Sequence, residues 1–330
     1  MLTARTDSLA YIEAAQAARG PDYRCRHCGA PVTFRRAGSR VAHFAHRPDA
    51  GCGLGGPMSA AHLAAQQTIA AALRARGLGV ELEAALTGDG GARRIDVLTW
   101  PPDRPGARVA IEVQASDLTA EGVAARTDSY QTLGVAPLWL RLLDFGRFPA
   151  VQTLPFLGTI WIERYAAKAW ERWAHDHLGG RLWFMDSGTG HVWRGLFVAA
   201  HRRRDRGRIA EDAGETVGRG ADWTEAVQWV DLELDGPFDL TAVKLRRTAA
   251  RGPDTALRRF AAFAPDSGRD VPTGPAVRIV FQAEARGHSR RLETRVGDAW
   301  IPTLPDGANS DWRTRRSPAR AAVLTRSPIG

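Results

Sequence analysis

The sequence predicts a mixed α/β protein in three parts: a small cysteine-rich β module over residues 1–56, an α/β core over 57–150, and a basic, partly irregular region over 151–330. Three observations support this prediction. All three cysteines lie before residue 53. Helix-like and strand-like segments then follow in the order α-β-β-β-α-β, separated by short turns rich in glycine and proline. Beyond residue 150, tryptophan and arginine are frequent and regular patterning is scarce.

The first helix of the core is the clearest element, because Ser59 can cap it, apolar residues share one face and Gly77 ends it. The strands that follow are bounded by the turns TGDGG and PPDRPG, whose glycines and prolines interrupt a ladder. In order, the six predicted segments are a helix over 58–77, strands over 80–86, 94–100 and 108–114, a helix over 119–134 and a strand over 135–143.

The C-terminal region is harder to interpret. We expect WIERYAAKAWERWAHDHLGG to be a helix, followed by a strand in RLWFMDSGTGHVWRGLF. WVDLELDG and AVRIVFQAEARG are expected to be isolated strands. The basic segments 201–208 and 314–330 are expected to be solvated, and no internal repeat is present.

Composition excludes several classes of protein. Of the 330 residues, 44% are hydrophobic and 25% charged, as in ordinary globular proteins. No run of about 18 apolar residues is present and the first residues lack a secretory pattern, so we expect a cytoplasmic protein without a membrane span. The net charge of +9 suits a polyanionic partner such as nucleic acid, although a codon bias towards arginine would give the same excess.

Two carboxylates stand inside otherwise apolar strands: Asp96 in IDVL and Glu112 in AIEVQ. Because strand side chains alternate, Glu112 and Gln114 point the same way, and a hairpin of the two strands would put Asp96 beside Glu112 on one face. Such carboxylates repel each other unless a cation intervenes, and Mg²⁺ prefers oxygen ligands. Alternatively, both acids face solvent or pair with arginines. Glu83 is a third candidate acid, or equally a solvent-facing one.

Five residues near the N-terminus have zinc-like spacing: Cys25, Cys28, His43, His46 and Cys52. Cys-x2-Cys forms one half of a tetrahedral zinc site, and later histidine and cysteine residues form the other half. We favour all but His43 as ligands, with His43 as their neighbour or substitute. The alternative is reduced thiols in a small core beside two surface histidines.

The chain between these cysteines, residues 29–46, is predicted to be a β-hairpin with a Gly-Ser turn. Its arginines, Arg35, Arg36 and Arg40, are placed for phosphate contacts that do not depend on base sequence.

Residues 23–145 resemble the CoiA-like competence protein family and, more broadly, the PD-(D/E)xK nucleases. The blocks that carry the resemblance are YRCRHCGAPV, HFAHRPDAGC, MSAAHLAAQ, RRIDV, AIEVQAS and RTDSYQTLGVAPLWL, in the family's order and spacing. The resemblance implies a restriction-endonuclease-like core in which Asp96 and Glu112 bind Mg²⁺ or Mn²⁺. Gln114 would occupy the position of the superfamily's catalytic lysine, where an amide can orient water only through hydrogen bonds.

The first helix departs from the family pattern. The stretch Ser59-Ala60-Ala61-His62 stands where the family usually has Ser-x-Glu-His, so the helix glutamate is absent, and Gln66 lies further on without the family's lysine. His62 either lines the site or is a plain interfacial histidine. Arg126 and Tyr130, one turn apart on the second helix, either hold a phosphate or form helix surface.

These residues favour a metal-dependent deoxyribonuclease with a structural zinc. By resemblance it acts on DNA, single-stranded in the first place, in DNA uptake, recombination or repair, together with proteins of those processes. The second hypothesis is a zinc-dependent DNA-binding protein whose degenerate core no longer cuts. A third class, RNA processing or membrane association, is suggested by charge alone.

Overall fold

The computed structural model describes residues 1–38, 41–48, 50–53, 58–88, 91–115, 117–143, 159–186, 190–199, 230–264, 277–284, 287–296, 299–302 and 312–313. Arg40 and the basic segments 201–208 and 314–330 lie outside these ranges. Among the described residues, no helix combines the length and the apolar character that crossing a bilayer requires.

The N-terminal module is a five-stranded antiparallel sheet in the order β2-β1-β3-β4-β5. Its strands are β1 (Thr3–Thr6), β2 (Tyr11–Glu13), β3 (Tyr23–Arg24), β4 (Pro31–Arg35) and β5 (His43–His46). The predicted hairpin is present as β4 and β5, which pair from Val32 with His46 to Arg35 with His43. A small aromatic core holds the module together, with the rings of Tyr23 and Phe44 5.0 Å apart.

The core has the predicted element order. Its elements are α1 (Ala60–Ala75), β6 (Gly79–Gly88), β7 (Gly91–Trp100), β8 (Val109–Gln114), α2 (Ala120–Thr132) and β9 (Ala136–Leu143). Ser59 caps α1, since its hydroxyl accepts a hydrogen bond from the His62 N–H at 3.1 Å. Gly77 follows the helix with a φ of +76°, the left-handed conformation that glycine adopts most readily.

β6, β7 and β8 are antiparallel, and β9 joins β8 in parallel. The two helices lie on opposite faces of this sheet. α1 packs with Val97 and Ile111, whereas α2 places Tyr130 against Leu98 and Ala110. The central parts of β7, β8 and β9 are therefore buried on both sides, which explains their nearly continuous apolar sequences.

β7 and β8 pair only over a short stretch, from Val97 with Ile111 to Thr99 with Val109. Before Val97, β7 pairs with β6 alone, and after Ile111, β8 pairs with β9 alone. The two strands therefore diverge, and we call this point the fork. Asp96 and Glu112 are the first residues beyond the last pair.

The C-terminal region extends the same sheet. Its elements are β10 (Thr159–Tyr165), α3 (Ala169–His177), β11 (Leu182–Asp186), β12 (Val192–Ala199), β13 (Val230–Phe238), β14 (Lys244–Arg251), β15 (Leu257–Ala264), β16 (Val277–Glu284), β17 (Gly287–Val296), β18 (Ala299–Pro302) and β19 (Trp312–Arg313). The long sheet has the order β18-β17-β16-β10-β13-β12-β11-β9-β8-β7-β6, with β19 beside β17. β14 and β15 form a separate hairpin.

Two expectations for this region are wrong. The segment that begins at Trp161 does not start as a helix, because alternating Ile160 and Ile162 are buried within β10 and the helix begins only at Ala169. WVDLELDG and AVRIVFQAEARG are not isolated strands. They contain β13 and β16, which lie on either side of β10 in the long sheet.

Polar contacts connect the module to the core. Arg74 of α1 donates to Glu13 of β2, and Arg26 donates to Glu81 of β6 at 2.5 Å. Leu2 is fully buried in the same apolar cluster as α1. The module therefore packs directly on the α1 side of the core.

Candidate functional site

Asp96 accepts two hydrogen bonds at the fork and lies against the imidazole of His62. Its Oδ2 accepts a hydrogen bond from the Val113 backbone N–H at 2.9 Å, and its Oδ1 accepts one from Gln66 Nε2 at 2.6 Å. The Nε2 of His62 lies 3.1 Å from Oδ2. Because β7 no longer pairs with β8 at this point, the Asp96 side chain supplies the acceptor that a neighbouring strand would otherwise provide.

Glu112 is bound from the other side of the sheet. Tyr130 donates its hydroxyl to Oε1, and Arg126 Nη1 donates to Oε2 at 3.1 Å. Arg126 and Tyr130 lie four residues apart on α2, so both reach the same carboxylate. The helical donors to Asp96 thus come from α1 and those to Glu112 from α2, while the two carboxylates lie close enough for the charge of Asp96 to raise the pKa of Glu112.

The pKa values around Asp96 and Glu112 indicate that nearby positive charge does not fully offset the negative charge of the two carboxylates. Burial and, after it, the negative charge of Asp96 raise the pKa of Glu112 to about 7, against the opposing effects of Arg126 and Tyr130. Burial disfavours the charged form of His62, but the hydrogen bond and charge of Asp96 outweigh burial, so the pKa of His62 is raised. Buried like charges behave in this way when no further cation stabilises them.

Gln66 is fully buried and donates to Asp96, yet the sequence did not mark it as a site residue. A signal was available: Gln66 follows His62 by four residues, which places both on one face of α1.

Two other predicted residues have different surroundings. Glu83 is buried at the position opposite Asp96, with a φ of +50°, and its Oε2 accepts hydrogen bonds from the Thr3 N–H at 3.0 Å and the Thr3 hydroxyl at 2.9 Å. Its hydrogen bonds thus connect the core to β1. Gln114 ends β8, in register with Arg141 of β9, whose side chain reaches the Gln114 carbonyl and the buried Glu171.

Arg35 and Arg36 are exposed at the end of β4. With Arg19 they line a groove of about 690 Å³ on the module, whose wall includes Tyr23 and Phe34. They form a basic surface apart from the donors that surround Asp96 and Glu112.

The structure brings together the four favoured zinc ligands. The donor atoms of Cys25, Cys28, His46 and Cys52 all lie within 4.8 Å of one another, so this group can hold a metal such as zinc. The fifth candidate, His43, is not in the group, and its Nδ1 lies 2.9 Å from the Val41 carbonyl.

Individual distances in the cysteine–histidine group test its fit to zinc. Tetrahedral bonds of about 2.3 Å to sulfur and about 2.0–2.1 Å to nitrogen separate two sulfurs by about 3.8 Å and a sulfur from a nitrogen by about 3.6 Å. The sulfurs of Cys25 and Cys52 are 4.0 Å apart, and the Cys28 sulfur is 3.4 Å from His46 Nε2. The donor set therefore fits zinc in both chemistry and size.

These features define a class: a cysteine–histidine module followed by an α/β core with two buried carboxylates where its sheet divides. Comparison with protein families makes the class specific. Residues 7–55 match the model described as "Competence protein CoiA, N-terminal domain" and residues 59–144 the model described as "Competence protein CoiA, nuclease-like domain". The resemblance to the CoiA-like competence protein family is thus confirmed over these two stretches of the chain.

No curated protein sequence matches the chain. A solved structure, described as "Crystal Structure of Protein of Unknown Function AF1548", is similar over 24% of this chain and 46% of its own, at 19% identity and a TM-score of 0.20. The chain thus spans about half the length of that protein, and a likeness of this extent says nothing about function.

Proposed function

We propose that this protein is a metal-dependent nuclease that hydrolyses DNA phosphodiester bonds during DNA uptake, recombination or repair. The observation that carries the proposal is the pair Asp96 and Glu112, two buried carboxylates at the fork. Each is held by named donors, and the raised pKa of Glu112 indicates that a further cation would stabilise the pair. The match of residues 59–144 to a nuclease-like domain supports the same conclusion.

The carboxylates fit a hard divalent ion. Among the described contacts, Asp96 Oδ1 and both oxygens of Glu112 each accept one protein hydrogen bond. A carboxylate oxygen can accept two, so a lone pair remains on each of these three oxygens. Mg²⁺ is usually held by one or two carboxylates and keeps several waters. Asp96 and Glu112 would therefore hold Mg²⁺ or Mn²⁺, which, when bound, activates water and neutralises charge on a phosphate.

The neighbouring side chains have separate proposed tasks. Arg126 uses one donor on Glu112, and its remaining N–H groups can bind a phosphate oxygen. His62, with its raised pKa, holds a proton more firmly than an ordinary histidine and adds positive charge near the substrate. Gln114 would orient water by hydrogen bonding, and Tyr130 positions Glu112.

The module is proposed to contain a structural zinc on Cys25, Cys28, His46 and Cys52. Because the unfolded chain has no preformed site, zinc binding would stabilise the folded module directly. Arg35, Arg36 and Arg40 would then contact DNA phosphates without regard to base sequence.

The proposal is tested by incubating labelled single- and double-stranded DNA with Mg²⁺ or Mn²⁺. Wild type is expected to cut at least one substrate, and Glu112→Gln and Asp96→Asn to cut neither, while Glu121→Gln, on the exposed start of α2, remains active. Omitting the divalent ion should stop the reaction. An EDTA control requires a zinc assay alongside, because EDTA also removes zinc. No cleavage by folded, zinc-loaded wild type that binds DNA would overturn the proposal.

One observation favours a second candidate, a zinc-dependent DNA-binding protein whose core no longer cuts. Arg126 and His62 already occupy the carboxylates, and α1 lacks the family's glutamate. In that case Mg²⁺ would not protect wild type against thermal unfolding. A nuclease site would show protection that Glu112→Gln abolishes.

A further inference from the structure

A second basic groove lies at the opposite end of the β7–β8 hairpin from the fork. It has a volume of about 530 Å³ and is lined by the end of α1, the turn after β7 and the strand β14. We propose that this groove binds single-stranded nucleic acid, through phosphate contacts on one wall and base stacking on Trp100.

The charge of the groove is one-sided. Its five cationic side chains are Arg76, Arg104, Lys244, Arg246 and Arg247, and no carboxylate is among its lining residues. Arg104 forms an ion pair with the exposed Asp103 beside it, and Arg76 donates to the Val243 backbone carbonyl. A concave surface with several cations and no acids attracts a polyanion.

The β14–β15 hairpin holds this charge in place. Ala261 and Phe263 of β15 are buried in the main apolar cluster, which fixes the hairpin against the sheet. Arg246 and Arg247 on β14 are exposed, and Arg247 also reaches the Gly134 carbonyl at 3.3 Å. These two cations therefore lie on a strand that is fixed against the core.

Trp100 distinguishes nucleic acid from a lipid headgroup or a free phosphate. Its indole is half-buried and lies directly over Gly79, where an added Cβ would come within 2.4 Å of the ring. The absence of a side chain at Gly79 thus lets the Trp100 indole pack against the backbone in the wall of the groove. An aromatic ring beside several cations is the arrangement on which unpaired bases stack while their phosphates are neutralised.

The groove is separate from the carboxylates. Trp100 follows Asp96 by four residues, about 13 Å along a strand. Arg76 follows Gln66 by ten residues, about 15 Å along α1. A strand bound in the groove would therefore lie beside the core without occupying the fork, and this proposal stands whether or not the fork cuts DNA.

Fluorescence anisotropy with labelled oligo(dT), without added Mg²⁺ or Mn²⁺, tests the groove in the full chain. We expect the double variant Arg246→Gln/Arg247→Gln to lose at least tenfold in affinity. The slope of log K against log salt concentration is negative, and its magnitude should decrease by about 1.4, because each of the two lost single-strand phosphate contacts contributes about 0.7. Trp100→Leu should weaken binding by roughly tenfold, whereas Trp100→Phe should retain most of it because a ring remains.

Matched controls make the result specific. Arg251→Gln lies on the same strand outside the groove and should bind like wild type. An RNA oligonucleotide reports whether the sugar matters, and duplex DNA and anionic vesicles serve as competitors. Equal losses for Arg251→Gln and the double variant would overturn the proposal, as would unchanged oligo(dT) binding by the double variant. Stronger competition by vesicles than by single strands would overturn it in favour of a membrane surface.

Discussion

Replacing Glu112 with glutamine should abolish any cleavage and yet stabilise the protein at neutral pH and above. Glutamine has nearly the same shape as the protonated acid and can still accept the Tyr130 hydrogen bond. What it removes is a negative charge that is fully enclosed and lies close to Asp96. Removing a charge that burial disfavours should increase the free energy of unfolding, even though the ion pair with Arg126 is lost.

The size of the effect follows from the pKa of Glu112. Its ordinary value is 4.5, and burial, with Asp96, raises it to about 7. Between these two values the folded chain binds more protons than the unfolded chain, so the free energy of unfolding of wild type falls as pH rises. At about 1.4 kcal/mol per pKa unit, the advantage of the variant should grow from near zero at pH 4 to at most about 3 kcal/mol at pH 8.

Urea unfolding at pH 5, 6, 7 and 8, followed by tryptophan fluorescence, measures this difference. Glu121→Gln is the control, since the same change at an exposed helix start should alter stability by less than about 0.5 kcal/mol. Adding Mg²⁺ at pH 8 should reduce the difference, because a bound cation favours the charged form of Glu112. A Glu112→Gln protein less stable than wild type at pH 8, or a difference that does not change with pH, would refute the reasoning.

Two further changes test the module and the packing of the long sheet. His46→Gln should lose zinc whereas His43→Gln should keep it, as metal analysis would show, and a zinc-free His43→Gln protein would contradict the ligand set. Gly195→Ala should destabilise by about 1–3 kcal/mol in urea unfolding, because overpacking is costly and its Cβ would lie 2.1 Å from the Phe184 ring. Gly106→Ala, with nothing within 4 Å, is the control, and equal losses would exclude packing as the cause.

Local signals were sufficient for the core. The cap at Ser59, the glycine at 77 and the proline-rich turn after Trp100 each act within a few residues, so the six predicted segments agree closely with the observed ones. The strand β10 was missed because its identity depends on distant partners. It pairs with β13 and with β16, and the latter lies more than a hundred residues away in the sequence. The apolar residues of WIERY fit the repeat of a helix as well as that of a strand, and the sequence alone does not reveal the partner strands that decide between the two.

The candidate site was predictable only in part, for a similar reason. Alternation along β8 and pairing with β7 placed Asp96 beside Glu112, but alternation cannot reveal where two strands separate. Without the fork, the separate approach of α1 to Asp96 and of α2 to Glu112 was not foreseeable. Glu83 shows the same limit, since its hydrogen bonds run to Thr3, eighty residues earlier in the chain.

The fork explains why the two acids are not equivalent. Asp96 accepts a hydrogen bond from the backbone N–H of Val113, a residue that no longer pairs with β7, so its carboxylate completes the sheet as well as contributing charge. In the contacts described, Glu112 is bound only by side chains of α2, and burial disfavours its charged form. If these two side chains served only to accept hydrogen bonds, an uncharged acceptor would be sufficient at either position. The proposed cation at the fork would offset the cost of keeping Glu112 charged.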